Sequence, residues 1–243
     1  MDQTALKEEL KELRVCRHEV NEELSRFDLH VHSYYSSDST LKPEEIVKLA
    51  VSRGLAGVAI TDHNTVMGGV EGLKVKAERF IVIPGCEVRT SLGDLLGLFI
   101  SEDVKRKEFL EAVDDVRSQG GIAVLAHPFD KARRSTVRDA EKLAGSVDAV
   151  EVINSRCLFN SFNEKAVKLA DARGLPITAG SDAHFSMEIG RAYVVASNIG
   201  GLEDLRRAIL GRRVKVEGSL SPFVTHLMSS ICKLRRKASK GVK

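Results

Sequence analysis

Residues 54–63 read Gly-Leu-Ala-Gly-Val-Ala-Ile-Thr-Asp-His, a glycine and a short apolar run followed by a polar triplet that ends in histidine. A short, continuously apolar run is typical of a strand in a buried parallel sheet. The preceding residues predict a helix, because Pro43 suits a first helical turn and Gly54 can terminate the helix. Glu44 and Glu45 strengthen that prediction, since acidic side chains favour the positive end of a helix. The unit is therefore helix, glycine, strand and polar residue.

The same unit recurs further along the chain. A predicted helix at 105–118 precedes two glycines, the strand Ile122–Leu125 and His127, and a helix at 162–173 precedes Gly174 and a strand at 175–179. Two more short apolar runs, at 80–83 and 149–153, also predict strands.

Alternation of helices and strands predicts βαβ units. A doubly wound sheet usually takes its site from one crevice, whereas here polar residues follow strands throughout the chain. We therefore expect an α/β fold, a TIM-like barrel in a single domain. Its expected span is 27–217, between an N-terminal amphipathic helix within residues 1–26 (the pattern covers 4–25) and a basic helical tail at 218–243.

Histidines and carboxylates are concentrated at these strand ends. His30 and His32 are two residues apart, as are Asp182 and His184, and this spacing puts both side chains of a pair on one face of a strand. Five of the seven histidines lie in such positions, and packing alone does not explain that pattern. Imidazole and carboxylate donors suit Zn, Mn or Fe, so the sequence predicts a metal centre. His18 and His226, in helical patterns, are interpreted as structural or surface residues.

The bulk composition fits one soluble enzyme-sized domain. The chain has 243 residues, 43% of them hydrophobic and 29% charged, and its formal net charge of +3 does not by itself indicate nucleic-acid binding. Four scattered cysteines without a CxxC pair, and a start that lacks signal-peptide features, predict a cytoplasmic protein. No apolar run is long enough to cross a bilayer, so no membrane contact is expected.

The ordered motifs resemble the polymerase-and-histidinol-phosphatase (PHP) family between about residues 27 and 217. The motifs are Asp28-Leu29-His30-Val31-His32-Ser33, Ser37-Asp38, Thr61-Asp62-His63-Asn64, Gly85-Cys86-Glu87, Ala126-His127-Pro128 and Ser181-Asp182-Ala183-His184. The resemblance implies a distorted (β/α)7 barrel that holds two or three divalent ions (Mn, Zn or Fe) and hydrolyses phosphate esters.

The resemblance also implies a distribution of ligands. One ion would be held by His30, His32, Glu87 and Asp182, and a second by Asp38, His63 and His184. Glu87 would extend to a third ion with His127. Many members have a histidine where this chain has Asp94, and the carboxylate of Asp94 is the expected replacement.

Neighbouring residues are assigned supporting roles. Asp62 is expected to orient an imidazole rather than bind an ion, while Glu151 and Asn154 either stabilise the barrel mouth or touch the site. His127 and Arg191 are the candidate catalytic residues. Arg191, Arg133 and Arg134 are the candidate substrate-binding residues, because a guanidinium binds phosphoryl oxygens in a bidentate manner.

These residues favour a phosphoesterase that uses hydroxide generated at the ions to hydrolyse a small phosphorylated metabolite or nucleotide. A nuclease or oligonucleotide phosphodiesterase, a metal-stabilised binding module and an amidohydrolase-type enzyme are the alternatives. For the last of these, no lysine at a strand end is apparent to bridge two ions. The oligomeric state is not predicted.

The C-terminal residues predict one more helix. Phe223, Leu227, Ile231 and Leu234 fall at helical spacing, and six basic residues but no acidic one occur from Lys233 onward. We expect this helix to pack on the barrel through its apolar stripe. Its basic end would make at most a weak, salt-sensitive contact with nucleic acid.

Overall fold

The computed structural model describes residues 24–105, 108–133 and 136–240, with the side chains of residues 233 and 235–240 excepted. The elements in chain order are β1 (Leu24–Val31), α1 (Pro43–Ser52), β2 (Gly57–His63), α2 (Met67–Gly72), β3 (Ile81–Thr90), β4 (Gly93–Leu98), α3 (Phe109–Ser118), β5 (Ile122–Leu125), α4 (Ala140–Leu143), β6 (Ala149–Asn154), α5 (Asn160–Arg173), β7 (Ile177–Gly180), β8 (Ala192–Ser197), α6 (Leu202–Leu210), β9 (Lys215–Gly218) and α7 (Val224–Lys240). Two 3-10 turns, Ala144–Ser146 and Ser186–Glu188, precede β6 and β8.

The strands form one sheet in the order β7-β6-β5-β4-β3-β2-β1-β8-β9. Within the span β1 to β7 every neighbouring pair is parallel except those that involve β4, which runs antiparallel to both β3 and β5. The sheet curls until β1 meets the chain that leaves β7. There, the His32 amide donates to the Ala183 carbonyl at 2.8 Å and the Asp182 amide donates to the His30 carbonyl at 2.7 Å. These bonds nearly close a barrel and confirm the predicted fold class.

A glycine permits this closure. A Cβ at Gly180 would collide with the backbone and Cβ of His30, so only glycine lets the end of β7 lie this close to β1. The pair His30 and His32 therefore lies beside the pair Asp182 and His184, although the two pairs are about 150 positions apart in the sequence.

On the face that lines the barrel interior, β2 and β3 carry apolar residues near the middle of the strand and polar residues at the carboxyl end. Ala59 and Ile83 belong to a buried apolar cluster shared by several strands. His63 and Glu87 lie four residues further along the same two strands, and an even separation returns a side chain to the same face. The apolar cluster is therefore a floor beneath the polar residues at the carboxyl ends of β2 and β3. Helices cover the other face, where Ile46 of α1 packs against Val58 and Ile60.

Several elements differ from the sequence prediction. The reversed strand β4 and the hairpin β8–β9 were not predicted, because a hairpin replaces the expected helical crossover after β3. The predicted N-terminal helix lies mostly outside the described residues, but its last residues belong to β1. Leu24 and Arg26 pair antiparallel with Ser197 and Val195 of β8, so a strand ladder satisfies backbone groups that were assigned to a helix.

In the described part of the chain, every helix is too short or too polar to cross a membrane.

Candidate metal centre and active site

All nine predicted metal ligands lie together at one mouth of the barrel, where the parallel strands have their carboxyl ends and the antiparallel β4 begins. They are His30, His32, Asp38, His63, Glu87, Asp94, His127, Asp182 and His184. All are buried except His63, whose side chain is 19% exposed. Their roles as metal ligands stay a prediction of the sequence.

The first group of donors surrounds His30 and His32. Their Nε2 atoms face each other at 3.1 Å. Asp182 Oδ1 lies 3.7 Å from His30 Nε2 and 3.2 Å from His32 Nε2, and Glu87 Oε2 lies 3.8 and 3.4 Å from the same two atoms. Two nitrogens and two oxygens therefore converge on one point from three separate strands.

The second group lies beside it, closer to solvent. Asp38 Oδ2 is 3.5 Å from His63 Nε2 and 3.3 Å from His184 Nε2. His63 Nδ1 reaches Glu87 Oε2 at 2.8 Å. His32, His63 and His184 also present nitrogen atoms within 4.8 Å of one another. Glu87 therefore contacts members of both groups.

The third group uses the other oxygen of Glu87. Glu87 Oε1 lies 2.9 Å from His127 Nε2, and Asp94 Oδ2 lies 3.9 Å from the same nitrogen. Asp94 therefore lies beside this pair, and its role as the replacement for a histidine in the third group stays a prediction.

The chemistry of the donors fits divalent ions. Within the described residues, Glu87 Oε2 and Asp182 Oδ1 are buried and make no hydrogen bond, although imidazole nitrogens surround both of them. Ligand atoms about 2.1 Å from a tetrahedral ion stand about 3.4 Å apart, which is close to the separations found here. These two carboxylate oxygens therefore keep lone pairs that a cation can accept.

The pKa values in the cluster also favour the binding of metal ions. Burial and the neighbouring imidazoles of His184 and His63 lower the pKa of His32 to about 3, which keeps it in the neutral form that binds metals. Burial disfavours a charged Asp182, but Arg133 and His30 hold its pKa well below the usual value. The carboxylate stays ionised and available as a ligand.

A second layer of carboxylates fixes the imidazoles. Glu151 Oε1 lies 2.9 Å from His30 Nδ1, and its Oε2 accepts a hydrogen bond from the His127 amide at 2.9 Å. Asn154 donates to Glu151 Oε2 at 3.1 Å and to Asp182 Oδ2 at 3.3 Å. Both residues were left open in the sequence analysis, and both support the site directly.

Asp62 acts through a serine, which the sequence did not reveal. Its Oδ1 accepts from the Ser36 hydroxyl at 2.6 Å, and Ser36 Oγ lies 3.1 Å from His32 Nδ1. Asp62 also accepts from the amide and the hydroxyl of Ser33, at 2.7 and 2.6 Å. The predicted orienting role of Asp62 agrees with these contacts.

Asp28 ties β1 to the turn that follows β7. It accepts from the Ser181 amide at 2.8 Å, from the Ser181 hydroxyl at 2.5 Å and from the Gly190 amide at 2.8 Å. Asp28 therefore fastens the turn that carries Asp182 to the strand that carries His30.

Two of the candidate ligands have left-handed backbone conformations. Asp182 has a φ of 54° and His127 has a φ of 27°. Non-glycine residues adopt this region at a cost, and they do so most often at functional sites. Each residue follows its strand directly, so the sharp turn bends its side chain back over the barrel mouth.

The arginine predictions meet three outcomes. Arg133 binds carboxylates of the site, with its guanidinium 2.7 Å from Asp182 Oδ2 and 2.8 Å from Asp130 Oδ2. Arg134 lies outside the described residues. Arg191 does not reach the donor groups, since its guanidinium donates to the Leu220 carbonyl at 3.0 Å and lines a separate surface pocket with Arg53 and Tyr193, and its substrate-binding role stays a prediction. It is drawn there because β9 and the chain after it supply the nearest acceptors.

The donor groups open into a cleft of about 1190 Å³. Asp38, His63, Asp94 and His184 form its base, and Arg133 lies among the lining residues. The far wall comes from α7 and the residue before it, through Phe223, His226, Ser229, Ser230 and Leu234. The interpretation of His226 as a structural or surface residue therefore needs correction, because its half-buried side chain faces the cleft.

The comparisons with known proteins agree with this geometry. The PHP domain model matches residues 28–147, and the PHP-associated model matches residues 160–214. An uncharacterised protein of Methanocaldococcus jannaschii is 36% identical over 181 residues, which are 72% of this chain and 71% of that protein. A Caldicellulosiruptor bescii protein assigned as a phosphatase is 26% identical over 204 residues, covering 69% of this chain and 83% of its own length.

Among solved structures, a two-domain Bacteroides vulgatus protein that contains a proposed PHP-like metal-dependent phosphoesterase aligns with a TM-score of 0.64 at 20% identity. The alignment covers 82% of this chain but only 66% of that protein, so this likeness shows the fold of the shared part. Motif order, barrel and sequence matches coincide over the same residues. This chain belongs to the PHP family.

Proposed function

We propose that this protein is a metal-dependent phosphoesterase that hydrolyses a small phosphorylated metabolite or nucleotide. The observation that carries the proposal is the continuous set of three donor groups, joined by the two oxygens of Glu87, at the base of an open cleft. Phosphoesterase and phosphatase assignments of the Bacteroides and Caldicellulosiruptor relatives support the same chemistry.

Two or three divalent ions would be distributed over the three groups. His30, His32 and Asp182 would hold the first ion, Asp38, His63 and His184 the second, and Asp94 with His127 the third, while Glu87 is shared. Such ions supply Lewis acidity that activates water and offsets the charge of a phosphoryl group. Zn, Mn and Fe all accept this mixture of imidazole and carboxylate.

The chain's own residues prepare the site for that reaction. Arg133 neutralises the outer oxygen of Asp182 and lies within the cleft, where its positive charge favours an anionic substrate. His127 is buried and engages Glu87 and Glu151, so we assign it to ligand binding rather than to direct contact with the substrate. Arg191 takes no part in this proposal.

The shape of the cleft favours a small substrate over a polymer. α7 forms the wall opposite the donor groups, so the cleft is bounded where a nuclease needs a continuous groove along the nucleic-acid backbone. A mononucleotide or a sugar phosphate fits a cleft of this volume.

The proposal is tested by removing all metal, reloading with Zn, Mn or Fe and assaying phosphate release from monoesters alongside cleavage of a diester and an oligonucleotide. We expect metal-dependent hydrolysis of monoesters that is lost in His32→Ala and retained in the exposed control Glu44→Gln. Full activity after exhaustive chelation contradicts the proposal. Preferred cleavage of oligonucleotides would favour the nuclease alternative, and bound metal without hydrolysis of any ester would favour the binding module.

A further inference from the structure

A buried ion pair lies beneath α7, outside the three donor groups. Arg156, the second residue after β6, is 6% exposed, and its guanidinium lies 3.2 Å from Oε2 of the fully buried Glu188. Glu188 ends the 3-10 turn that precedes β8. Burial of two charges costs desolvation energy and adds little net stability, so the pair needs an explanation other than stability.

The carboxylate of Glu188 binds the backbone of a predicted metal ligand. Its Oε2 atom accepts from the His184 amide at 3.0 Å and from the Phe185 amide at 3.1 Å, in addition to the guanidinium of Arg156. The two amides belong to consecutive residues of the turn after β7. One carboxylate oxygen therefore fixes the path of the backbone through His184.

The position of the His184 ring depends on that backbone path. Its Nδ1 lies 2.8 Å from the Asp182 carbonyl oxygen, and its Nε2 faces Asp38 Oδ2 at 3.3 Å. A carbonyl only accepts hydrogen bonds, so Nδ1 carries the proton of the neutral ring and Nε2 presents its lone pair. A shift of the turn would move Nε2 away from the second donor group, which consists of Asp38, His63 and His184.

The polar side of α7 lies on this ion pair. Thr225 is fully buried and Ser229 is 4% exposed, whereas Leu227 and Ile231 of the predicted apolar stripe are 59% and 41% exposed. The prediction that α7 packs on the barrel through that stripe is therefore wrong. A buried guanidinium needs polar neighbours, which explains why hydroxyl groups face inward here.

The ion pair also connects α7 to the rest of the site. Arg156 Nη2 donates to Ser229 Oγ at 2.9 Å, and the Arg156 amide donates to Asn154 Oδ1 at 2.9 Å. Ser229 belongs to the part of α7 that lines the cleft. A chain of contacts therefore runs from the wall of the cleft, through the ion pair, to the second donor group.

We propose that Arg156 and Glu188 are positioning residues for the second ion and act by holding the backbone of His184. The proposal rests on the metal-dependent phosphoesterase proposed above, since it concerns one ion of that site. Glu188 holds the two amides, and an ionised acceptor holds them more strongly than a neutral one. Without Arg156 the buried carboxylate has no counter-charge, so it takes up a proton or moves, and the turn loosens.

The test is calorimetric titration of the metal-free protein with Mn²⁺ alone. In Arg156→Met we expect the affinity for one ion to fall by about 10- to 100-fold, while the other ions keep theirs. Arg156→Lys should lose less, because its ammonium keeps the charge but cannot span both partners as the guanidinium does. Arg117→Met is the control, since it breaks a partly exposed pair with Asp148 just before β6 and should leave every affinity unchanged.

Combined variants separate an action through His184 from a general loss of stability. His184→Ala already breaks the second donor group, so adding Arg156→Met should change the affinity of the remaining ions by less than about twofold. His127→Ala removes a residue of the third group instead, and there Arg156→Met should still cause the full loss. If Arg156→Met does not fold, Arg156→Lys allows the same comparison.

Two results would overturn this proposal while the phosphoesterase proposal stands. The first is unchanged Mn²⁺ affinity in the folded Arg156 variants of a protein that hydrolyses phosphate esters. The second is a loss of affinity that is equally large in the His184→Ala background, which shows that Arg156 acts on the whole fold. If the unaltered protein binds no Mn²⁺ and releases no phosphate, both proposals are wrong.

Discussion

The two sides of the donor cluster differ in how firmly they are supported. On the side of β1 and β7, His30 rests on Glu151, His32 rests on Ser36 and Asp62, and the turn of Asp182 is tied to Asp28. On the side of β4 and β5, His127 Nδ1 is buried without a hydrogen-bond partner among the described residues.

This difference indicates an order of ion affinity. Imidazoles whose far nitrogen is fixed by a second partner hold ions better, because the ring orientation and tautomer are set before the ion arrives. We therefore expect the first two ions to bind tightly and the third to dissociate first. The changes below test that order.

Asp182→Asn should have the largest effect. It keeps the shape of the side chain but removes a buried negative charge that lies within 3.7 Å of His30 and His32 and pairs with Arg133. We expect a loss of about 10³-fold or more in kcat/KM and the loss of at least one tightly bound ion by elemental analysis. Asp204→Asn, on an exposed helix face, is the control. If both variants had similar kinetics, the donor groups on the side of β1 and β7 would not be essential for activity.

Asp62→Asn should act on metal affinity rather than on the chemical step. The amide disturbs the contacts with Ser33 and Ser36, so that His32 loses its fixed orientation. We expect metal affinity to fall by about 10- to 100-fold, with recovery of kcat at saturating metal. Calorimetric titration and activity as a function of metal concentration give the measurement. An unrecovered kcat would show that Asp62 acts on more than orientation.

Asp94→Asn should affect only the ion on the side of β4 and β5. Among the three donor groups, its carboxylate is grouped with Glu87 and His127 of the third, so the variant should lose the weakest ion and keep the other two. We expect a stoichiometry lower by one ion and a fall in kcat of about tenfold. Loss of all ions together would mean that the two sides are not independent.

Arg191→Ala should have the smallest effect. The side chain binds the Leu220 carbonyl in a separate pocket, so we expect less than about a twofold change in kcat/KM with a small loss of thermal stability. A large rise in KM would return Arg191 to the substrate-binding role that the sequence suggested.

Local pattern accounts for the parts of the fold that could be predicted. Strand spacing puts His30 with His32 and Asp182 with His184, and the recurring glycine and apolar run locate β2, β5, β6 and β7 to within a few residues. The PHP resemblance then gathers the ligands that local spacing cannot relate to one another.

What the sequence could not provide is the neighbour across the barrel. Glu151 contacts His30 from 121 positions away, and its place on a predicted strand left open whether it touches the site. Arg191 follows the last ligand motif closely, yet the chain just after β9 offers it another acceptor, the Leu220 carbonyl. Periodicity shows that α7 has two faces but not which one lies against the protein, and in the structure Thr225 and Ser229 are buried while Leu227 and Ile231 are exposed.

The left-handed backbone at Asp182 has a consequence for how this fold balances stability against chemistry. An aspartate at φ 54° costs about 1 kcal/mol relative to glycine. The charge of Asp182 offsets more than this cost, because Arg133 and His30 hold its pKa well below the usual value and so stabilise the folded protein at neutral pH. Asp182→Gly should therefore lower the melting temperature of the metal-free protein, although it relieves the backbone strain, since it leaves the guanidinium of Arg133 without this partner. A raised melting temperature would show that the strain outweighs the pair with Arg133. The metal-free protein thus already pays for the conformation of a ligand through an arginine that needs no ion.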